Sequence, residues 1–160
     1  MVPTARLSLT LLGCVALGAS AFAAPVAEGG RKFGPIMLTG AAEVPGPGDP
    51  DGSGTAVAFL NVGQDRVCWE LVVNNVDPIT AAHIHEGAPN EAGGIRVSFF
   101  HFGEPVDLEG CTFTTTSAMF PFDRARLRDI IQNPQNYYVN VHSDGALMAG
   151  AIRGQMAKKP

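Results

Sequence analysis

The chain of 160 residues carries fifteen acidic and eleven basic side chains, a formal charge of −4, with 46% hydrophobic residues. No run of lysine or arginine interrupts this mild acidity, which excludes the electrostatic footprint of nucleic-acid or anionic-lipid binding. The length is that of one domain with a single core.

Residues 1–23 read as a signal peptide. Arg6 is their one charge, Leu7 to Ala19 is an apolar run too short to span a bilayer, and Ala21-Phe22-Ala23 is an A-x-A cleavage site. The expected cut lies before Ala24, which makes the protein secreted or periplasmic. A buried N-terminal helix is the plain alternative. A lipoprotein anchored at Cys14 is another, since Leu11-Leu12-Gly13-Cys14 loosely resembles a lipobox, although the apolar run continues past Cys14.

Cleavage leaves about 137 residues, with ten basic against fifteen acidic side chains and a formal charge of −5. It also leaves two cysteines, Cys68 and Cys111, in a compartment that permits a disulfide between them. Two free buried thiols are the competing reading. Residues 24–34 are small, polar and glycine-rich, and are expected to be a disordered leader. The domain is expected over 35–157, with a short tail at 158–160.

Within the domain, short β-type runs alternate with turn clusters. Strands are expected at Ile36–Gly40, Thr55–Val62, Arg66–Asn74, Ala81–His85, Ile95–Phe102, Cys111–Ala118, Tyr137–His142 and Gly150–Gln155. Pro45–Gly54 is nearly all turn residues and reads as an irregular loop, and Gly63-Gln64-Asp65 as a hairpin connection. In the third run Val67, Trp69, Leu71 and Val73 share one face, which makes Trp69 a core residue. Tyr137 and Tyr138 straddle two faces, so only one belongs to the core. One helix is expected near 123–133: Asp123 caps it, Leu127, Ile130 and Ile131 fall at i, i+3, i+4, and Pro134 lies just past its end. Many short strands with one helix argue for a mostly antiparallel two-sheet sandwich, and a closed barrel has the same pattern.

The histidines are the residues that could carry chemistry. His83 and His85 stand two apart in a strand, so both rings project from one face and Ile84 from the other. In Tyr137–His142 the aliphatic face is Val139 and Val141, which puts His142 opposite with Tyr138 and Asn140. Three imidazoles from two strands suit copper, zinc or nickel better than calcium or magnesium, and acid should release such an ion near pH ~6, where imidazoles protonate. Histidines on a solvated strand face or in a polar network are the plain reading. Covalent and phosphoryl chemistry find no support, because G-x-S-x-G and a glycine loop before a helix are both missing.

Four segments occur in the order of a CHRD (chordin-type) domain: Leu38-Thr39-Gly40 with Glu43-Val44-Pro45, Ala82-His83-Ile84-His85-x-Gly87, Tyr138-Val139-Asn140-Val141-His142, and Ile152-Arg153-Gly154-Gln155. The resemblance covers roughly residues 34–157 and is to the secreted single-domain bacterial type. It implies an extracellular β domain without an established enzymatic activity. More locally, His83-Ile84-His85-Glu86 and Val139-x-Val141-His142 are similar to segments of copper–zinc superoxide dismutases. That likeness implies copper ligation by His83, His85 and His142, with His101 matching the bridging histidine by spacing only. The further zinc ligands of those enzymes and their substrate-guiding arginine have no counterpart.

The expected fold is thus an all-β, mostly antiparallel sandwich, immunoglobulin-like or superoxide-dismutase-like, with one short helix. The expected function is a non-catalytic extracytoplasmic binding module for an unidentified ligand or matrix component. The alternative is a copper-binding, redox-active protein using the three-histidine face; dismutase activity is the remote version. Glu43 is expected either to pair with Arg153 or to lie in an exposed loop.

Overall fold

The computed structural model describes residues 30–114 and 119–157. The signal peptide, Cys14 and most of the expected leader lie outside the described residues. Eight strands are formed: β1 (Arg31–Thr39), β2 (Ser53–Asn61), β3 (Arg66–Asn74), β4 (Ala81–Glu86), β5 (Ile95–Phe100), β6 (Glu109–Phe113), β7 (Tyr137–His142) and β8 (Ile152–Gln155). A helix, α1 (Arg124–Gln132), stands between β6 and β7.

Several boundaries differ from expectation: β2 begins at Ser53, inside the stretch read as an irregular loop, β5 stops at Phe100 and β8 begins at Ile152. Two further differences have a physical reason. β1 begins at Arg31, inside the stretch read as leader, because Arg31, Lys32 and Phe33 pair with Leu60, Phe59 and Ala58 of β2. Phe33 is buried there in the core, a long-range gain that a polar, glycine-rich composition does not reveal. β6 starts two residues early, at Glu109, where pairing with Glu70 extends the ladder. The strand ends at Phe113, since Thr114 is in a turn, and the remaining expected residues 115–118 lie outside the described residues.

All pairings are antiparallel and join the strands into one sheet in the order β5-β4-β7-β8-β1-β2-β3-β6. The sheet rolls until its two ends approach, so the architecture is a nearly closed barrel or sandwich. Trp69 of β3 stacks on Phe99 of β5, ring centroids 4.8 Å apart and planes within 7°, across that seam. Its indole N–H donates to the Asp107 carbonyl, so the one polar atom of a core residue is satisfied.

Inside the roll lies one apolar cluster. Leu38, Ala58, Leu60, Val67, Ile84, Val97, Val139, Val141 and Ile152 are fully enclosed in it, each from the aliphatic face of its strand. Helix α1 closes one side. Asp123 caps it by accepting a hydrogen bond from the Arg126 backbone N–H, and Leu127 and Ile130 are wholly buried. Outside the roll, Cys68 and Cys111 face each other in the β3–β6 ladder and form a disulfide. It closes a loop of 43 residues, which by chain entropy stabilises the fold by about 4 kcal/mol, and it ties down a strand that pairs on one edge alone.

A candidate metal centre on the outer face of β4 and β7

Strands β4 and β7 lie side by side, with His83 opposite Asn140 and His85 opposite Tyr138. Since side chains alternate, His83, His85, Tyr138, Asn140 and His142 all leave the sheet on the side away from the apolar core. An outer face of a sheet is ordinarily solvated, yet all six residues of β7 are buried. Tyr137 is in the core; Tyr138 is buried too, in a second, polar layer outside it.

The loops make that layer. The β4–β5 connection folds back so that the Gly93 N–H donates to the Tyr138 hydroxyl, and Glu86 donates its backbone N–H to Gly94. A Cβ at Gly93 would stand 1.5 Å from the Glu86 carbonyl oxygen, so only glycine fits this close approach. On the other side, the segment after β7 places its carbonyls against the sheet from Leu147 and Met148.

Within the layer the three imidazoles converge. One ring nitrogen from each of His83, His85 and His142 lies within 4.8 Å of the other two, and all three residues are buried. The Nδ1 of His85 is 2.9 Å from the Gly93 carbonyl, and that of His142 is 3.0 Å from the Met148 carbonyl. A carbonyl accepts and never donates, so each Nδ1 carries the proton and each Nε2 presents a lone pair. Those two Nε2 atoms face each other at 3.3 Å. Neither ring nitrogen of His83 has a hydrogen-bond partner.

Burial keeps the rings neutral. It pushes His83 down to about 2, with the neighbouring His142 and His85 adding to the effect. It pushes His85 down to about 4, against a raising contribution from the Gly93 carbonyl, and lowers His142 as well. With no proton available between the two Nε2 atoms, their contact at 3.3 Å is repulsive unless something electron-poor lies between. The distance is that expected for two nitrogens ~2.05 Å from one ion at a tetrahedral angle, about 3.3 Å. Backbone carbonyls that fix the tautomer and aim the free nitrogen are the usual outer support of ligating histidines.

His101 stands apart. Its Nε2 is 3.0 Å from Glu104 and its Nδ1 is 3.1 Å from the Phe102 carbonyl, so it does not join the cluster. Arg153 is 1% exposed, and its two Nη atoms donate to the carbonyls of Glu91 and Ala88, at 2.9 and 2.7 Å. Its guanidinium carbon lies 3.4 Å from the centre of the Tyr138 ring.

A family model for the CHRD domain matches residues 35–156. The chain belongs to the CHRD domain family. No curated protein and no solved structure matches it significantly. The family is of the extracellular type, and among the described residues no helix is long and apolar enough to cross a membrane.

The four segments that carry the CHRD resemblance meet in space around this layer. Glu43, after β1, accepts a hydrogen bond from the Asn140 amide at 3.2 Å. Both expected readings of Glu43 are thereby corrected: the residue is buried rather than in an exposed loop, and the Arg153 guanidinium is committed to two carbonyls, so only its field reaches the carboxylate. Burial raises Glu43 to about 7, with Asn140 and then Arg153 opposing. Gln155 donates to the carbonyls of Gly87, Gln135 and Tyr137, which pins the β4–β5 loop to the end of β7. Gly93 and Met148 contribute through their backbone alone, and Asn140 through an amide that any polar face can carry. No side-chain pattern marks the first two.

Proposed function

We propose that this protein is an exported CHRD-domain module whose outer sheet face holds one transition-metal ion, copper, on His83, His85 and His142. The observation that carries the reading is the facing pair of proton-free Nε2 atoms, with the unpartnered His83 ring beside them. Buried polar atoms without partners are rare, and an unseen ion or water is the ordinary account of them.

Copper is favoured over zinc by charge. The three ligands are neutral, their supports at His85 and His142 are carbonyls, and no Asp, Glu or Cys joins the cluster among the described residues. A divalent ion in such a site keeps its whole charge in a low-dielectric surrounding, where the cost grows with the square of the charge. Copper can sit there as a monovalent ion; zinc cannot. Imidazole ligands suit either metal, so the absence of carboxylate is what separates them.

The test is titration of the purified protein with monovalent copper and with zinc, beside the single variants His83→Ala, His142→Ala and His101→Ala. The expected result is one copper per chain, tighter than zinc, with affinity reduced at least ~100-fold in the first two variants and unchanged in the third. Equal binding by all four proteins, or none by wild type, removes the metal reading. In that case the exported binding module of the CHRD family remains.

A further inference from the structure

Beside the histidine cluster lies a cavity of about 520 Å³ lined by His83 and His142 together with Ile95, Phe102, Met119 and Met148. Phe102, Met119 and Met148 are 80%, 63% and 66% exposed, which puts the mouth at the surface around them. The rings of His83 and His142 form part of its wall. A volume of this size falls in the range of pockets for organic ligands and far exceeds the ~30 Å³ of a water.

The polar groups of the wall decide the charge of an occupant. Thr80 Oγ1 donates to the Ser143 carbonyl, and Ser143 Oγ donates to the Pro78 carbonyl, so both hydroxyl protons are committed elsewhere. His101 is held by Glu104, which leaves that pair with no surplus positive charge. Asp144 adds a carboxylate to the wall. Arg153 is buried against Tyr138 and two carbonyls and does not line the space. In the metal-free wall an anion meets the Asp144 carboxylate, apolar side chains and, among the described side chains, one spare donor, the N–H of the neutral His83 ring, while an apolar body gains by leaving water.

We infer that this cavity is a binding site for an uncharged, largely apolar organic molecule that meets the ion through one neutral donor atom. The ion is the one assigned under the proposed function, so the metal-contacting half of the inference rests on that reading. The recognition of an apolar body by Ile95, Phe102, Met119 and Met148 does not.

The experiment uses 4-phenylimidazole, imidazole and azide as probes at about pH 8, where imidazoles are uncharged. Binding is followed by calorimetry on metal-free protein and on protein loaded with monovalent copper in the absence of oxygen. Phenylimidazole is expected to bind about tenfold to a hundredfold more tightly than imidazole in both forms, the gain from burying a phenyl ring. Azide is expected to give no heat of binding to the metal-free protein at concentrations where phenylimidazole saturates it, and Asp144→Lys to make azide bind. Met148→Asp should erase the advantage of the phenyl group while the backbone carbonyl that holds His142 stays in place. An advantage absent from metal-free wild type, or azide binding to metal-free protein at the same concentrations as phenylimidazole, overturns the inference. Failure to take up copper overturns the proposed function instead, and the metal-free arm still decides the cavity.

Discussion

Strands β4 and β7 bury both of their faces, but the two faces are built from different chemistry. Inward, Ala82, Ile84, Tyr137, Val139 and Val141 pack into the apolar cluster, and every side chain there gains by leaving water. Outward, His83, His85, Tyr138, Asn140 and His142 are equally hidden, yet both nitrogens of His83 and Oδ1 of Asn140 lack hydrogen-bond partners. Leaving such atoms unpaired costs roughly 1–3 kcal/mol each. A face that lowers stability and is nevertheless enclosed by two loops is arranged for a purpose other than holding the fold.

The sharpest way to break the comparison is to place one substitution on each face of β4. Ile84→Asp sets an unpaired charge in the core and is expected to destabilise by at least ~4 kcal/mol, enough to prevent folding. His83→Leu, one residue away, exchanges an unsatisfied ring for an aliphatic one. It is expected to raise the free energy of unfolding measured in urea by about 1 kcal/mol, while abolishing copper binding. Equal losses in the two variants would show that both faces are structural.

Acid sharpens the contrast, because only the outer face titrates. The His85 pKa is lowered from 6.5 to about 4 in the folded protein, so between these values the unfolded chain binds more protons. Stability of the metal-free protein is therefore fully present above pH 6.5 and lost as pH falls toward about 4, by roughly 3 kcal/mol from this residue. Urea unfolding at a series of pH values measures the slope, and His85→Gln should remove the His85 share of it while His83 and His142 keep theirs. The same shift moves ion release. An ordinary imidazole would give up its metal near pH ~6, whereas burial holds all three rings neutral to lower pH, His85 to about 4.

The smallest expected effect belongs to Glu43, on the edge of the layer. Its pKa is raised from 4.5 to about 7, so its contribution is fully present below 4.5 and lost as pH rises through 7. Glu43→Gln keeps the acceptor for Asn140 Nδ2 and supplies a donor for the unpartnered Asn140 Oδ1. It should leave stability unchanged at pH ~5 and raise it by about 1 kcal/mol at pH ~8. A variant with the wild-type pH profile would assign that titration to another group.

Much of the fold was legible because it depends on alternation. Period-two apolar patterning places Val67, Trp69 and Leu71, or Val139 and Val141, on one face whatever lies beyond them. The helix was marked by its cap, Asp123, and by the spacing of Leu127 and Ile130. The start of β1 was not legible, since Arg31 and Lys32 are exposed and are held in the strand by partners 27 to 29 residues away in β2.

By itself the sequence determined that His83 and His85 share a face of β4, that His142 lies on the non-aliphatic face of β7, and that two cysteines were available to pair. Those properties follow from the two-residue repeat of a strand and from composition, which are local. Whether the three rings meet is a question of which strands become neighbours and in what register, set by the total burial of the closed sheet. Tertiary structure alone placed β7 beside β4, folded the loops of Gly93 and Met148 over the outer face, and turned their carbonyls toward the rings. It also removed the water that would otherwise have kept the three imidazoles ordinary, and so turned a histidine-bearing strand face into a candidate metal centre.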